Sequence, residues 1–404
     1  MPVPQHIFDP PFNIIRCSHV VLDVVDLDRS REFYENTVGL HVEDRDDKTL
    51  YLRGNEEHQH HSLVLRKAAT AACNRLGFKV ANEQDLDKAA AFFSGNGITY
   101  AFAEQPFQGR TLQFTDPFGF QIELHASMEK RPHLLRRYDL YKGCHPQRLD
   151  HFNVFAAEVQ DTVDFYARMG FRLTEYAEED GPNGRIAAAW LHRKGNVHDF
   201  AITNGRGPRL HHFAYWVPTA MNILHLCDVM ASSGYLKNIE RGPGRHGISN
   251  AFFLYVRDPD GHRLELYTSD YFTMDHDHEP MRWSLKDPRR QTLWGAPAPR
   301  SWFEQGRRFR DRRSANRCLS PMSLLRIRVH HFRCHLRNLG LGCRSQRGYH
   351  EEAIAHRSYL DTWLGTWALA ESRLRGRRAQ GPGGWLDDRL AERARPSIRA
   401  RFGP

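Results

Sequence analysis

ERGPGRHGISNAFFLYVRDPDGHRLELY, residues 240–267, is the stretch from which the fold can be read. Two β-like runs, 251–256 and 262–267, are joined by the turn Asp258-Pro259-Asp260-Gly261. A Gly/Pro-rich segment carrying Arg241, Arg245 and His246 precedes them and reads as a loop. Within the second run Glu265 lies between Leu264 and Leu266, so period-2 alternation sends its carboxylate to the face opposite the leucines. A lone strand Glu is most often a solvated outer residue. Here other parts of the chain supply it with company.

The hairpin has a counterpart. Asp116-Pro117-Phe118-Gly119 followed by Glu123 matches Asp258-Pro259-Asp260-Gly261 followed by Glu265, each carboxylate 7 residues after its aspartate. His19 opens the run HVVLDV and is followed 15 residues later by Tyr34; His151 opens HFNVF and is followed 15 residues later by Tyr166. The first part, to about residue 128, and residues 146–290 are therefore copies of one design. Within each copy, helical patterns at 28–37, 83–94, 159–169 and 220–232 carry apolar residues at i, i+3/4 and i+7, as in Val159, Val163 and Tyr166. Gly39, Gly95, Gly170 and Gly234 fall just past them, where a left-handed terminal residue is cheap. Runs such as TLYLRG, SLVLRK, AAAWLHR and HDFAIT follow, so the unit is strand, helix and further strands, repeated four times. This predicts an α+β protein, with the segment 130–148 joining the copies.

At 404 residues and 40% hydrophobic the chain can bury ample core. The net charge of +9 hides a split: residues 305–404 hold 22 Arg, no Lys and 8 acidic residues, whereas residues 1–304 are net −5. Seven cysteines without CxxC spacing, and an N-terminus unlike a signal sequence, favour reduced thiols in the cytoplasm. No apolar run approaches the roughly 20 residues of a membrane helix.

Comparison of the copies locates candidate metal ligands. Module three opens with His151, module four opens with Arg209-Leu210-His211-His212 and closes with Glu265. Two histidines and a carboxylate on strands of equivalent modules form a facial set, which leaves coordination positions open for substrate and O2 on Fe(II) or Mn(II). The first copy keeps His19 and Glu123 but reads Arg75-Leu76-Gly77-Phe78 where the second reads Arg-Leu-His-His, so a ligand is missing. With 24 histidines in the chain, chance triads are easy; equivalent strand positions are what single this one out.

The stretches LDHFNVF, AAAWLHRKGNVHDFA, GPRLHHFAYWV, ERGPGRHGISNAFFLYVRDPDGHRLELYTSDYF and MRWSLKDPRRQTLWG closely resemble the type I extradiol ring-cleaving dioxygenases of the vicinal-oxygen-chelate superfamily. The resemblance runs from about Ile14 to about Glu304. It implies four βαβββ modules in two tandem glyoxalase-like domains: 1–135 without a metal site, 136–304 catalytic, and a tail at 305–404. It makes His151, His212 and Glu265 the metal ligands, with Fe(II) as the expected ion and Mn(II) as the alternative. His198 matches an acid/base histidine, for which an imidazole with a pKa near 6.5 is suited. Tyr255 and His246 match residues that hydrogen-bond the ring oxygens, Asn153 would sit beside the O2 or substrate position, and Trp190 would line the pocket. Arg241 and Arg290 are candidates to clamp a substrate carboxylate. The register of the second arginine within Arg289-Arg290-Gln291 departs from the family's pattern. His211 would point away from the metal and be packed behind it.

The activity so implied is cleavage of 3,4-dihydroxyphenylacetate by O2 to a muconic semialdehyde, in a homo-oligomer, a tetramer by the resemblance. Three rivals stand beside it: cleavage of another catechol, a glyoxalase-like isomerase or thiol transferase, and a non-catalytic aromatic- or metal-binding protein. Nucleic-acid binding by the basic tail is disfavoured, because its arginines follow no helical face. Its Arg-only basic composition reads as translation in a shifted frame or a recent extension, largely disordered.

Overall fold

The computed structural model describes residues 3–275 and 277–310. The tail expected to be disordered from residue 305 is corrected at its start: Arg307 and Arg308 pair with Leu210 and Arg209, and Phe309 bridges to Cys73, so residues 305–310 belong to the fold. The remainder, from residue 311 onward, lies outside the described residues. The first copy begins with β1 (Ile14–Val24), whose HVV core is buried, and α1 (Leu27–Arg31), which runs on as a π-helical stretch, Glu32–Val38. Asp26 caps α1 by accepting from the amides of Asp28 and Arg29. Then come β2 (His41–Arg45), β3 (Thr49–Arg53), β4 (Leu63–Lys67) and β5 (Ala72–Val80). The second module continues through α2 (Glu83–Gly95), β6 (Tyr100–Ala103), β7 (Thr111–Thr115) and β8 (Gln121–His125).

The second copy repeats the series. It comprises β9 (Arg148–Ala156), α3 (Val159–Arg168), β10 (Arg172–Glu178), β11 (Ile186–His192) and β12 (Phe200–Asn204), then β13 (Arg209–Trp216), α4 (Ala220–Ser232), β14 (Ile239–Arg245), β15 (Phe252–Arg257) and β16 (Arg263–Thr268). It adds β17 (Met281–Ser284), the one-turn α5 (Arg300–Glu304) and β18 (Arg307–Arg308), which pairs with the start of β13. Among the described residues no helix is long and apolar enough to cross a membrane.

Two corrections to the local reading follow. Gly95 ends α2 rather than following it, and Gly97, at φ 67, takes the left-handed position. Arg241 and Arg245 lie on β14, not in a loop: the strand pairs with β15 through two register shifts that absorb the Gly242-Pro243 step.

Both copies build the same sheet. The first has strand order β2-β3-β4-β1-β5-β8-β7-β6, and the second has the equivalent order β14-β15-β16-β13-β9-β12-β11-β10, with β17 at its edge. The two modules of each copy join where β1 meets β5 and β9 meets β13, both antiparallel. The copies share one apolar core, in which Phe78 packs edge-on against Phe152 and Phe200 at 5.7 and 5.8 Å. The repeated motifs are the clasps between them. Tyr34 of the first copy donates to Asp258 of the second at 3.0 Å, and Tyr166 of the second donates to Asp116 of the first at 2.9 Å.

Candidate metal centre

Strand pairing places the candidate residues on one face of the second sheet. Ala214 on β13 lies opposite His151 on β9 and Glu265 on β16; Glu265 lies opposite Tyr255, and Tyr255 opposite Arg241. A neighbouring row runs through Trp190, Ala201, Asn153 and His212. Directly opposed residues share a face, as do residues two apart on a strand, so alternation sends both rows the same way.

At the crossing of these rows, His151 Nε2, His212 Nε2 and Glu265 Oε2 converge, 3.3, 3.0 and 3.1 Å apart, and all three residues are buried. An ion about 2.1 Å from three donors at right angles leaves them about 3.0 Å apart, so this triangle fits one face of an octahedral divalent ion. The tautomers fit as well. His151 Nδ1 faces Asp150 Oδ2 at 3.1 Å and donates to it. His211 Nε2 donates to the Trp302 carbonyl at 2.9 Å, which leaves its Nδ1 to accept from His212 Nδ1 at 2.6 Å. With each Nδ1 committed, each ligand imidazole turns its Nε2 toward Glu265, where an ion can take the place of a proton.

The electrostatics favour a cation. Burial opposes charge on His151, yet the Asp150 and Glu265 carboxylates on either side raise its pKa to about 9. Burial lowers that of His212 to about 4 against the pull of Glu265. Burial opposes charge on Glu265, but the two histidines beside it outweigh burial and hold it ionised, well below the usual carboxylate range. Asp150 is kept charged in the interior by Lys194, which also pairs with Asp199 at 2.9 Å.

Around this trio lie the other candidates. The His198 ring is tilted over that of His151, centroids 3.9 Å apart, and its buried Nδ1 has no hydrogen-bond partner. Burial, then His151, pushes its pKa well below 6.5, so it is a neutral imidazole rather than one poised near neutrality. His246 stacks on Phe253 at 3.8 Å, donates through Nδ1 to the Gln291 carbonyl, and accepts at Nε2 from the Tyr255 hydroxyl, 2.9 Å away. Burial and the Arg241 charge lower its pKa to about 3. Asn153 shares its face with His151 and accepts from Thr203 at 3.0 Å. Trp190 forms a wall with Ala177, Ala201 and Ile248.

The two arginines differ. Arg241 is buried beneath the Trp302 ring at 4.5 Å; one guanidinium nitrogen donates to Gln291 O and Thr292 Oγ1, while Nε and Nη1 have no partner. Arg290 turns inward and donates to Leu285 O at 3.2 Å, with a buried, unpartnered Nε, whereas Arg289 stays exposed and pairs with Asp287. Sequence reading missed Asp150, Lys194 and the Trp302 carbonyl. The Asp-His pair at 150–151 was the available signal for the first.

The first copy holds an ion pair in the equivalent place. Gly77 lies opposite both His19 and Glu123, as Ala214 lies opposite His151 and Glu265. Two residues earlier, the position of His212 is therefore taken by Arg75, and the alignment of Arg75-Leu76 with Arg209-Leu210 is corrected by three residues. Arg75 Nη1 lies 3.3 Å from Glu123 Oε2, and His19 Nε2 lies 2.5 Å from Glu123 Oε1. A Cβ on Gly77 would meet the His19 ring at 2.2 Å, so the ring fills that space.

Residues 16–124 and 148–266 match the family described as Glyoxalase/Bleomycin resistance protein/Dioxygenase superfamily. A manganese-dependent 2,3-dihydroxybiphenyl 1,2-dioxygenase of Geobacillus genomosp. 3 is 32% identical over 302 residues, spanning 70% of this chain and 94% of that protein. A metapyrocatechase of Geobacillus stearothermophilus is 30% identical over 74% of this chain and 95% of its own length. Among solved structures, homoprotocatechuate 2,3-dioxygenase from Brevibacterium fuscum, complexed with 3,4-dihydroxyphenylacetate, is 41% identical with a TM-score of 0.72, covering 75% of this chain and 95% of that one. The donor set fits Fe(II), with Mn(II) used by the manganese-dependent relative.

Proposed function

Because the chain belongs to the Glyoxalase/Bleomycin resistance protein/Dioxygenase superfamily and is an extradiol ring-cleaving dioxygenase, we propose that its substrate is 3,4-dihydroxyphenylacetate. The observation that carries this choice is Arg241, a buried cation with two unpartnered nitrogens, on the same strand row as Tyr255 and Glu265. A buried guanidinium without a carboxylate is costly, and a substrate carboxylate offsets that cost. Arg290, with its own unpartnered Nε, is the second candidate for the same group.

In this reading His151, His212 and Glu265 hold the ion, which when bound lowers the pKa of a catechol hydroxyl and gives O2 a place beside the ring. The chain's own groups do the positioning. Tyr255 spends its hydroxyl proton on His246 Nε2, which leaves its oxygen free to accept from a substrate hydroxyl. His198, a neutral imidazole with an unpartnered Nδ1, can take a proton from the catechol and return it during ring opening. Trp190, Phe253 and Trp302 present an apolar surface to the ring and exclude water, and Asn153 offers its amide beside the ligand row. Residues 1–135 act as scaffold to the catalytic 136–304, in a cytoplasmic homo-oligomer, a tetramer by family resemblance.

Arg241→Met tests the substrate. We expect kcat/KM for 3,4-dihydroxyphenylacetate to fall at least 100-fold while that for 4-methylcatechol changes by less than about 5-fold, since only the former loses an ion pair. Equal losses on both would reject the assignment. The second reading, a catechol without a carboxylate, is favoured by the similarity to a metapyrocatechase, and it requires the unmodified enzyme to prefer 4-methylcatechol in that same assay.

A further inference from the structure

The first copy contains a cavity of about 330 Å³ at the place where the second carries its active site. Strand pairing fixes the correspondence. Tyr51 lies opposite Val64 as Trp190 lies opposite Ala201, and Gln113 lies opposite Glu123 as Tyr255 lies opposite Glu265. Leu63 pairs with Val20 as Phe200 pairs with Phe152, which puts His61 in the place of His198. The metal is excluded, because Arg75 stands at the position of His212 and satisfies Glu123. The pocket nevertheless remains.

Its lining is that of a ligand site. Val21, Tyr51 and Val64 form an apolar wall against which Phe107 packs, its ring edge-on to Tyr51 at 5.0 Å, and the His61 ring lies 5.2 Å from that of Tyr51. Lys48, Arg66, Lys67 and Arg75 face it with Glu123 as the carboxylate of the lining, already engaged by His19 and Arg75, while Arg66 lies 3.8 Å from Asp23 behind the wall, so the two lysines carry the uncompensated charge. Two buried polar atoms on its wall are without partners: Arg75 Nε, a donor, and Asn74 Oδ1, an acceptor. A polar, cationic slot with one apolar wall suits a ring bearing an anion. The volume is ample for one ring with a short substituent.

We propose that this cavity is a second small-molecule site, which binds an aromatic monocarboxylate with its ring against Tyr51 and its carboxylate on Arg75 and does not transform it. The ligand class overlaps that of the proposed substrate, so a substrate or product acid could occupy it without being cleaved.

Equilibrium dialysis of the metal-free, full-length protein with phenylacetate, which has no catechol oxygens, tests the proposal. We expect two equivalents per chain in the unmodified protein. One is lost in Val64→Trp, which fills the cavity, and the other in Arg241→Met. Metal-loaded Val64→Trp should keep its ring-cleavage kcat within about 2-fold. Should Val64→Trp fail to fold, Tyr51→Leu serves instead and should weaken one class of site at least 10-fold. Unchanged stoichiometry in a folded cavity variant, or loss of all binding in Arg241→Met, overturns the proposal. Displacement of phenylacetate by millimolar inorganic phosphate from the Val64-dependent site overturns the aromatic class. If the substrate assignment alone is wrong, the unmodified protein binds one equivalent, and Val64→Trp abolishes it.

Discussion

His211 shows how much a residue can matter without touching a substrate. Its ring joins the Trp302 carbonyl to His212 Nδ1, so the proton on its Nε2 decides which nitrogen of His212 is bare. Phenylalanine would fill the same space without accepting from His212, leaving that ring free to reorient and its Nδ1–H buried and unpaired. His211→Phe should therefore weaken Fe(II) or Mn(II) affinity by about 10- to 100-fold, measured by titration against a competing chelator. Its far-ultraviolet spectrum should stay unchanged; unaltered affinity would show that the relay does not orient the ligand. His198 works differently: its proton chemistry is the point, and His198→Asn should lower kcat about 100-fold with metal content intact, as read by metal analysis of the assayed protein. The sequence put His198 forward as a candidate, but its ionisation was not legible there. A pKa near 6.5 assumed water around the ring, whereas the ring is buried against His151.

At the level of elements, the repeated turns and helices were visible in the sequence, but their purpose was not. Tyr34 and Tyr166 stood out as equivalent residues, as did Asp116 and Asp258, and periodicity alone gave no hint that each tyrosine bonds the aspartate of the other copy. Pairing across copies involves sequence separations of 224 and 50 residues, beyond any local pattern. The register of β5 was missed for a related reason: Arg-Leu occurs in both copies and invites alignment, while the hydrogen-bonded ladder, set by β1 and β8, puts Arg75 level with His212. The clasps carry a pH signature. Burial raises Asp116 and Asp258 to about 6, against the lowering effect of their tyrosine and backbone donors. A carboxyl whose folded pKa lies above its unfolded value of about 3.9 adds stability below that value and loses it as pH rises through about 6. Because the tyrosine hydroxyl favours the charged form, its removal should hurt more once the carboxyl has ionised. Tyr34→Phe and Tyr166→Phe should each cost about 1–3 kcal/mol at pH 8 and clearly less at pH 4 in urea unfolding. The two clasps share no partner, so the double variant should be additive within about 0.5 kcal/mol. A cost independent of pH would mean that the bond is not to an ionising carboxyl.

Across the whole molecule, one design has been given two ways to settle a buried carboxylate. In the second copy Glu265 faces two imidazoles whose Nε2 atoms suit an external ion, and in the first Glu123 faces His19 and the internal cation of Arg75. The first arrangement depends on metal and the second does not, although both are built on the same three strands of equivalent sheets. That asymmetry makes the copies respond differently to chelation. An ion present at 100 times its Kd contributes about 2.7 kcal/mol to the state that binds it, which corresponds to about 100-fold in exchange protection. Removing it should act on openings that separate β9, β13 and β16. Hydrogen exchange of the metal-loaded and chelated protein should then show protection in those strands falling by up to that factor, with β1, β5 and β8 within about 3-fold of their loaded values. Equal loss in both sheets would mean that the copies open only together through their shared core, and that the clasps and Phe78 contacts, rather than the ion, set the cooperative unit.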